Sequence, residues 1–509
     1  MGKVWLVGAG PSDIGLFTIK GMEVLKQAEV VVYDRLVGDS ILCLIPKEAE
    51  AIDVGKRAGN HTMPQKEINE MLLAKAREGK RVVRLKGGDP FLFGRGGEEL
   101  ELLAEYGIPY EIVPGVTSAI AVPAYNGIPV THRDYASSVH IITGHKKQQE
   151  VLDIDFEALV RTGGTLVFLM GIGNLPKICE GLMRAGMRRE MPAAVLQQGT
   201  TAGQKKVTAT VGTLEKEVNR QGIETPAMIV VGKVCALGGQ FEWYEKQPLF
   251  GNKILVTRPW ERAGTLSSRL RELGAEVVEV PAIRTVPIAE NERLTEAITN
   301  ITRYKYLAFT SPSGVGVFFD ALKEHKKDVR ALRDMKIAAI GRGTAKELES
   351  RGILCDLMPE IYDGEHLGIL LGETAKDEDA ILIPRAFQGT PKLIEAIQER
   401  TGAKIDDIAV YDTVYADEEE FLPLKEQIVQ GKFSMAVFTS ASTVKGFARA
   451  FSDMEFDKIQ AVCIGVQTAR AAQDLGMKTI TAQQASIDAL IESCLSAAGI
   501  HRCVDRKLP

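Results

Sequence analysis

The sequence predicts an α/β protein built mainly on parallel sheets, and three features carry that expectation. Short apolar runs, Val4–Val7, Val30–Tyr33, Arg81–Leu85 and His140–Thr143, are punctuated by Gly, Asp or Thr and followed by helix-like stretches such as Lys20–Gln27 and Lys66–Glu78. Strands alternating with helices form parallel sheets, and ligands of such sheets gather at the carboxyl ends of the strands. A Gly- and Pro-marked stretch over 236–252 precedes a fresh first strand at Lys253–Thr257, which reads as a linker between independent units. The second half then repeats itself: Ala308–Val315 (AFTSPSGV) returns as Val437–Val444 (VFTSASTV), and Ala339–Ala345 (AIGRGTA) as Cys463–Ala469 (CIGVQTA). Repeats so far apart do not make a solenoid. They suit two similar α/β lobes facing each other across a cleft. With 509 residues, at roughly 150 residues per domain, the chain holds three to four domains and has ample core.

Taken in order, the first chemical signal is Gly8-Ala9-Gly10-Pro11-Ser12-Asp13, between a strand and a helix. Glycines there admit a ligand to the backbone. Asp34, at the end of the second strand, stands near the spacing of a ribose-binding acid, so a nicotinamide-dependent oxidoreductase is the alternative reading of this half. Against it, Asp13 occupies the third glycine position of GxGxxG, and Pro11 removes a backbone donor. The densest signal is Lys86–Glu99 (KGGDPFLFGRGGEE), a backbone-exposed loop after Arg81–Leu85. Arg95 and Glu98, three apart, share a face if a helix begins there. Val113–Ala119 (VPGVTSA) and Gly127–Asp134 (GIPVTHRD) bracket a helix of small residues. His132 fits a structural histidine or a site residue, and Arg133 a salt bridge or an anion contact.

In the second half the repeat sets Thr310-Ser311, Thr439-Ser440, Gly341–Thr344 and Gly465–Thr468 at helix starts. Hydroxyls and unpaired backbone N–H groups there cap the helix or bind anions. Four such sites, paired by the repeat, favour a polyanionic ligand, and a non-catalytic two-lobed ligand-binding module is the alternative reading of this half. No Ser/His/Asp or Cys/His pattern accompanies them.

Composition narrows the partners. Lys plus Arg number 62 against 67 Asp plus Glu, a net charge of -5. That balance argues against a nucleic-acid surface, which is usually basic. No apolar stretch approaches the ~18 residues of a membrane span. The apolar run after Met1 breaks at Gly8, too soon for a signal peptide. The seven cysteines form no CxxC pair, and the seven histidines no HxH or HExxH. These point to free thiols in a reducing cytoplasm and to no metal site.

The first half resembles the uroporphyrinogen-III C-methyltransferases from about Lys3 to about Leu237. The motifs that carry this are VGAGP, VVVYDRLV (Val30–Val37), VGKRAG (Val54–Gly59), VVRLKGGDPFLFGRGGEE (Val82–Glu99), VPGVTSA, GIPVTHRDYA (Gly127–Ala136), LVFLMG (Leu166–Gly171) and PAAVLQQGT (Pro192–Thr200). Ser12 departs from the usual Gly of that turn. The resemblance implies two α/β lobes, 1–120 and 121–247, usually in a homodimer, with S-adenosylmethionine between them. It puts the cofactor at Pro11, Gly87, Gly88, Asp89, Leu92, Thr117, Ser118, Met170 and Gly199. It implies Asp34 and Lys56 as acid/base residues, and Arg95, Glu98 and Arg133 in the tetrapyrrole cleft. A porphyrinogen rich in carboxylates asks for guanidinium forks. Methylating a pyrrole carbon leaves a cation that must lose a proton. A carboxylate is the favoured base, since guanidinium stays protonated.

The second half resembles uroporphyrinogen-III synthase from about Lys253 to about Ala497. The matching segments are VTRP (Val256–Pro259), the two FTS and two IG-x-x-TA segments, Ile383-Pro384-Arg385 and Val410–Thr413 (VYDT). The resemblance implies a synthase over 248–509, with one lobe from 251–287 plus 416–509 and the other from 288–415. Its reaction closes hydroxymethylbilane to uroporphyrinogen III with inversion of ring D, without a cofactor. Tyr411 is the implied acid, since a phenol donates yet stays neutral at pH 7. Arg258, Arg385, Thr310, Ser311, Thr344, Ser440 and Thr468 are the implied carboxylate contacts.

Overall fold

The computed structural model describes residues 2–55, 63–144, 153–257, 264–416 and 421–500. Two of the expected site residues, Lys56 and Arg258, lie outside the described residues. The first sheet takes β1 (Lys3–Gly8), β2 (Val30–Tyr33), β3 (Glu50–Asp53), β4 (Arg81–Lys86) and β5 (Tyr110–Val113) in the order β3-β2-β4-β1-β5, all parallel. Successive side chains of a strand point to opposite faces. Accordingly Val30, Val32 and Val82 join one apolar layer with Leu72 and Leu103 of the flanking helices, while Val31, Val83 and Leu85 join another with Leu25 and Ile41.

The sheets are mainly parallel, as expected, and the second sheet is the exception. It holds β6 (Val139–Thr143), β7 (Thr165–Leu169), β8 (Pro192–Gln197), β9 (Lys205–Thr210) and β10 (Ala227–Val231) in the order β6-β7-β10-β8-β9. Only β6 and β7 pair in parallel; β7-β10, β10-β8 and β8-β9 are antiparallel. The link from β8 to β9 is short and has no crossover helix, and such a link favours an antiparallel pair.

A third sheet opens with β11 (Lys253–Thr257) and β12 (Glu276–Glu279). The chain next builds a fourth sheet from β13 (Ile283–Pro287), β14 (Tyr306–Phe309), β15 (Lys336–Ala339), β16 (Ala380–Ala386) and β17 (Lys404–Tyr415). It then completes the third with β18 (Met435–Phe438), β19 (Gln460–Cys463) and β20 (Lys478–Thr481). The orders are β12-β11-β18-β19-β20, all parallel, and β13-β17-β16-β14-β15, parallel apart from β13-β17. The fourth sheet forms a compact unit over 281–417. That unit begins before the expected 288, because β13 pairs with β17 along its whole length.

The first three sheets fall in one unit, 1–280 with 418–509, where the sequence suggested independent halves. The stretch expected as a loose linker is packed: Tyr244 lies edge-on to Tyr125 and Phe250, and Leu249 is buried. Lys253 Nζ pairs with Asp39 at 2.6 Å and Glu276 at 2.8 Å, and Gln427 donates to Asp39 at 3.0 Å. Lys253 thereby neutralises two largely buried carboxylates. Lys253→Met should lower the stability of this unit by about 3 kcal/mol. A fall in the midpoint of thermal unfolding checks it.

Candidate functional site

The loops at the carboxyl ends of β1, β4 and β5 converge on one place. Gly10 donates to Gly88 O at 3.1 Å, and Gly88 donates back to Gly10 O at 2.8 Å. Asp89 braces the turn: its Oδ1 accepts from Phe91 N and Leu92 N, and its Oδ2 from Gly115 N at 3.0 Å. The backbones pass so closely that a Cβ on Gly115 would sit 2.2 Å from Gly88 O, and one on Gly8 would sit 2.5 Å from the Gly115 Cα. Thr117 caps the helix Ser118–Tyr125 through Ala119 N. The second sheet reaches in from the other side, with Thr200 Oγ1 donating to Pro11 O at 2.7 Å.

Between these loops lies a cavity of about 1650 Å³. All the residues expected to hold the cofactor line it: Pro11, Gly87, Gly88, Asp89, Leu92, Thr117, Ser118, Met170 and Gly199. Asp34 and Arg95 line it too. Left-handed backbone at non-glycine residues is costly and gathers at functional sites. Here Ser12 (φ 104), Phe93 (φ 53), Arg95 (φ 58), Met170 (φ 54) and Gln198 (φ 46) adopt it, and all five line the cavity. Local sequence patterns carry no mark of that strain outside glycine.

Other expected residues are placed differently. Glu98 forms a two-pronged pair with Arg95, at 2.9 and 2.6 Å, from outside the cavity lining. The pair raises the Arg95 pKa further through its hydrogen bonds. Arg133 is exposed on the turn between His132 and Ala136, outside the lining. His132 is structural, its Nδ1 accepting from Asp134 N at 3.1 Å. Asp13 caps the short helical turn Ile14–Leu16 through Gly15 N and accepts from Tyr125 Oη at 2.8 Å. Burial and then that carboxylate push the Tyr125 phenol up.

The cavity is also lined by two buried cations, Arg84 and Lys86, that the sequence pattern alone does not single out. Arg84 and Lys86 of β4 and Glu99 of the helix Gly96–Glu105 are all buried. Glu99 Oε1 takes hydrogen bonds from Arg84 Nε at 3.1 Å, Lys86 Nζ at 2.7 Å and Gln65 Nε2 at 3.1 Å. Burial, then the neighbouring guanidinium, hold the Lys86 ammonium below its ordinary pKa. Two cations in a central strand are the signal that would have found them, since such residues are almost never fully buried unless paired.

In the unit formed by 281–417, the carboxyl ends of β14 and β16 bring together Thr310, Ser311 and Tyr411. Ser311 caps the helix Pro312–Glu324 and lies 2.8 Å from the Tyr411 hydroxyl. Tyr411 itself is 7% exposed and belongs to the apolar core of this unit. Arg385 departs from expectation: its fork closes on Asp407, with both bonds at 2.6 Å, and it donates to Thr390 O. Thr344 is buried, as is Thr468 in the other unit, and the caps of their helices are Gly341 and Gly465. The third residue of each helix has turned inward. In the larger unit Ser440 caps the helix Ala441–Ala450 in a capping box with Thr443.

Residues 3–215 match the family model of Tetrapyrrole (Corrin/Porphyrin) Methylases, and residues 264–492 that of Uroporphyrinogen-III synthase HemD. The chain is 48% identical over 498 residues to the porphyrin biosynthesis protein HemD of Ruminiclostridium josui, covering 98% of each. It is 43% identical over 354 residues to a uroporphyrinogen-III C-methyltransferase of Bacillus subtilis, covering 69% of this chain and 72% of that one. Among solved structures, the uroporphyrin-III C-methyltransferase of Thermus thermophilus complexed with S-adenyl homocysteine aligns at 38% identity with a TM-score of 0.40, covering 46% of this chain and 92% of that one.

Ser12 is the most strained of these residues for its type, at φ 104. Ser12→Gly should stabilise the protein by about 1 kcal/mol, strain relief outweighing the added freedom of the unfolded chain. A rise in the unfolding midpoint checks it.

Proposed function

This chain belongs to the family of the porphyrin biosynthesis protein HemD and carries a tetrapyrrole methylase region followed by a uroporphyrinogen-III synthase region, and from that premise we propose that one polypeptide makes uroporphyrinogen III and then methylates it. Both halves are enzymes. The synthase half cyclises hydroxymethylbilane with inversion of ring D. The methyltransferase half adds methyl groups at C2 and C7 to give precorrin-2, a precursor of sirohaem and cobalamin. The observation that carries the reading is the cavity at the carboxyl ends of the first sheet, where glycine loops, strained backbone and a guanidinium meet.

The residues there fit S-adenosylmethionine. The backbone at Gly10, Gly87, Gly88 and Gly199 borders the cavity beside the hydroxyl-bearing Thr117 and Ser118 and the apolar Leu92 and Met170. A Cβ on Gly88 would meet nothing within 4 Å, so that cradle is open. When bound, the cofactor supplies an electrophilic methyl group on a sulfonium. The protein's task is then alignment and proton removal. Arg95, its fork set by Glu98, takes a substrate carboxylate, and Asp34 accepts the proton that the methylated pyrrole carbon releases. Arg133 has no part in this reading, and Lys56 keeps only the role its motif implies.

In the synthase half, Tyr411 donates a proton to the departing hydroxyl, which leaves as water. The azafulvene that remains is attacked to form the spiro intermediate. Ser311 fixes the phenol, and Thr310 offers a hydroxyl to a substrate carboxylate. We take the domain division as two methyltransferase lobes, 1–120 and 121–247, followed by the synthase. A homodimer through the methyltransferase half is supported by large apolar side chains left exposed there, such as Ile19 and Ile120. Among the described residues no helix is long and apolar enough to cross a membrane, and six of the seven cysteines, those described, are free thiols. The thiols support a cytoplasmic setting.

Purified protein given hydroxymethylbilane alone should form uroporphyrinogen III, and with S-adenosylmethionine a dimethylated product. Formation of the type I isomer alone would contradict the synthase assignment. Calorimetry should detect binding of S-adenosylmethionine and none of NAD. Tyr411→Phe should slow cyclisation severalfold without abolishing it, and a rate equal to wild type removes Tyr411 from the mechanism.

A further inference from the structure

The buried charges at the cavity have a geometry that core stability does not explain. Arg84, Lys86 and Glu99 are 3%, 4% and 0% exposed. Apolar residues of like volume would serve a core as well or better. The arrangement is also lopsided: Glu99 Oε1 takes three donors, while Glu99 Oε2 is buried and takes none among the described residues. A buried oxygen left in that state calls for a reason beyond packing.

Arg84 links this set to the cavity. Its Nε is held by Glu99, and its NH1 donates to Val32 O at 3.3 Å and Leu85 O at 3.1 Å. These bonds fix the guanidinium plane and leave its NH2 end 3.6 Å from Asp34 Oδ2. The other carboxylate oxygen of Asp34 accepts from Leu36 N at 3.1 Å and Gly87 N at 3.4 Å. Two cations face one anion in Glu99, so the set becomes neutral when Asp34 is ionised. We propose that Arg84, held in plane by Glu99 and balanced by Lys86, is a positioning residue that fixes the Asp34 carboxylate in one orientation toward the tetrapyrrole. The inference rests on the reading of Asp34 as proton acceptor. Lysine would keep the charge at position 84 but lose the planar fork.

A double-mutant cycle on the full chain tests it. Asp34→Asn, Arg84→Met and the double variant are compared by kcat and KM for uroporphyrinogen III, with Kd for S-adenosylhomocysteine from calorimetry. Each single variant should lose roughly tenfold or more in kcat while KM and Kd change by less than about twofold, and the double variant should be no slower than Asp34→Asn. Arg84→Lys should recover only part of the loss. Full kcat in Arg84→Met, or an equal further loss when it is added to Asp34→Asn, overturns the inference. Asp34→Asn at full rate overturns instead the reading of Asp34 on which it rests. If Arg84→Met no longer binds S-adenosylhomocysteine, Glu99→Gln, which keeps the volume, takes its place in the cycle with the same outcomes.

Discussion

The paired hydrogen bonds between Gly10 and Gly88 are the constraint on which the methyltransferase half depends. They lock the loop after β1 to the loop after β4, and Asp89 ties both to Gly115 after β5. Beside this crossing, Gly8 and Gly115 approach too closely for side chains, while Gly88 faces open space, so peptide groups form part of the cavity wall. The constraint explains why the conspicuous glycines lie in loops, and why the neighbouring non-glycine residues are driven into left-handed conformations. Strain of that kind persists only where the surrounding structure over-determines it. Here parallel strands on one side and Thr200 on the other supply that rigidity.

A second constraint joins the enzymes. Lys253 is the first residue of the synthase half's first strand, yet it pairs with Asp39 of the methyltransferase half. Ser40 beside it donates to Val277 O of β12 at 2.8 Å. The segment carrying Asp39 follows Leu36, whose side chain packs against Gly87 so closely that a Cβ there would lie at 2.5 Å. The fusion is therefore a packed joint resting on the same loops that border the cavity.

Much of this was legible in the residues, for physical reasons that differ by element. β2 runs over Val30–Tyr33 as its apolar run announced, because a strand buried on both faces is continuously apolar. The direction of β8 and β10 was not legible, since pairing sense is set by connections and not by local pattern. The glycine loops announced the cavity lining through composition. Arg84 hid inside an apolar run, and its role emerges only from the partner that Glu99 supplies across the fold. Thr344 and Thr468 misled because a helix-start motif marks where a helix begins, without fixing which way its third side chain faces. Arg385 misled because its acidic partner Asp407 stands on the neighbouring strand.

In the proposed function the loops over 86–95 and 115–118, with Met170 and Gly199 opposite, enclose the methyl donor. Amide hydrogen exchange of the full chain, with and without saturating S-adenosylhomocysteine, tests it most directly. Slowed exchange is expected at those loops and at the segment around Gly199. Unchanged exchange there, or protection confined to the synthase half, would contradict it.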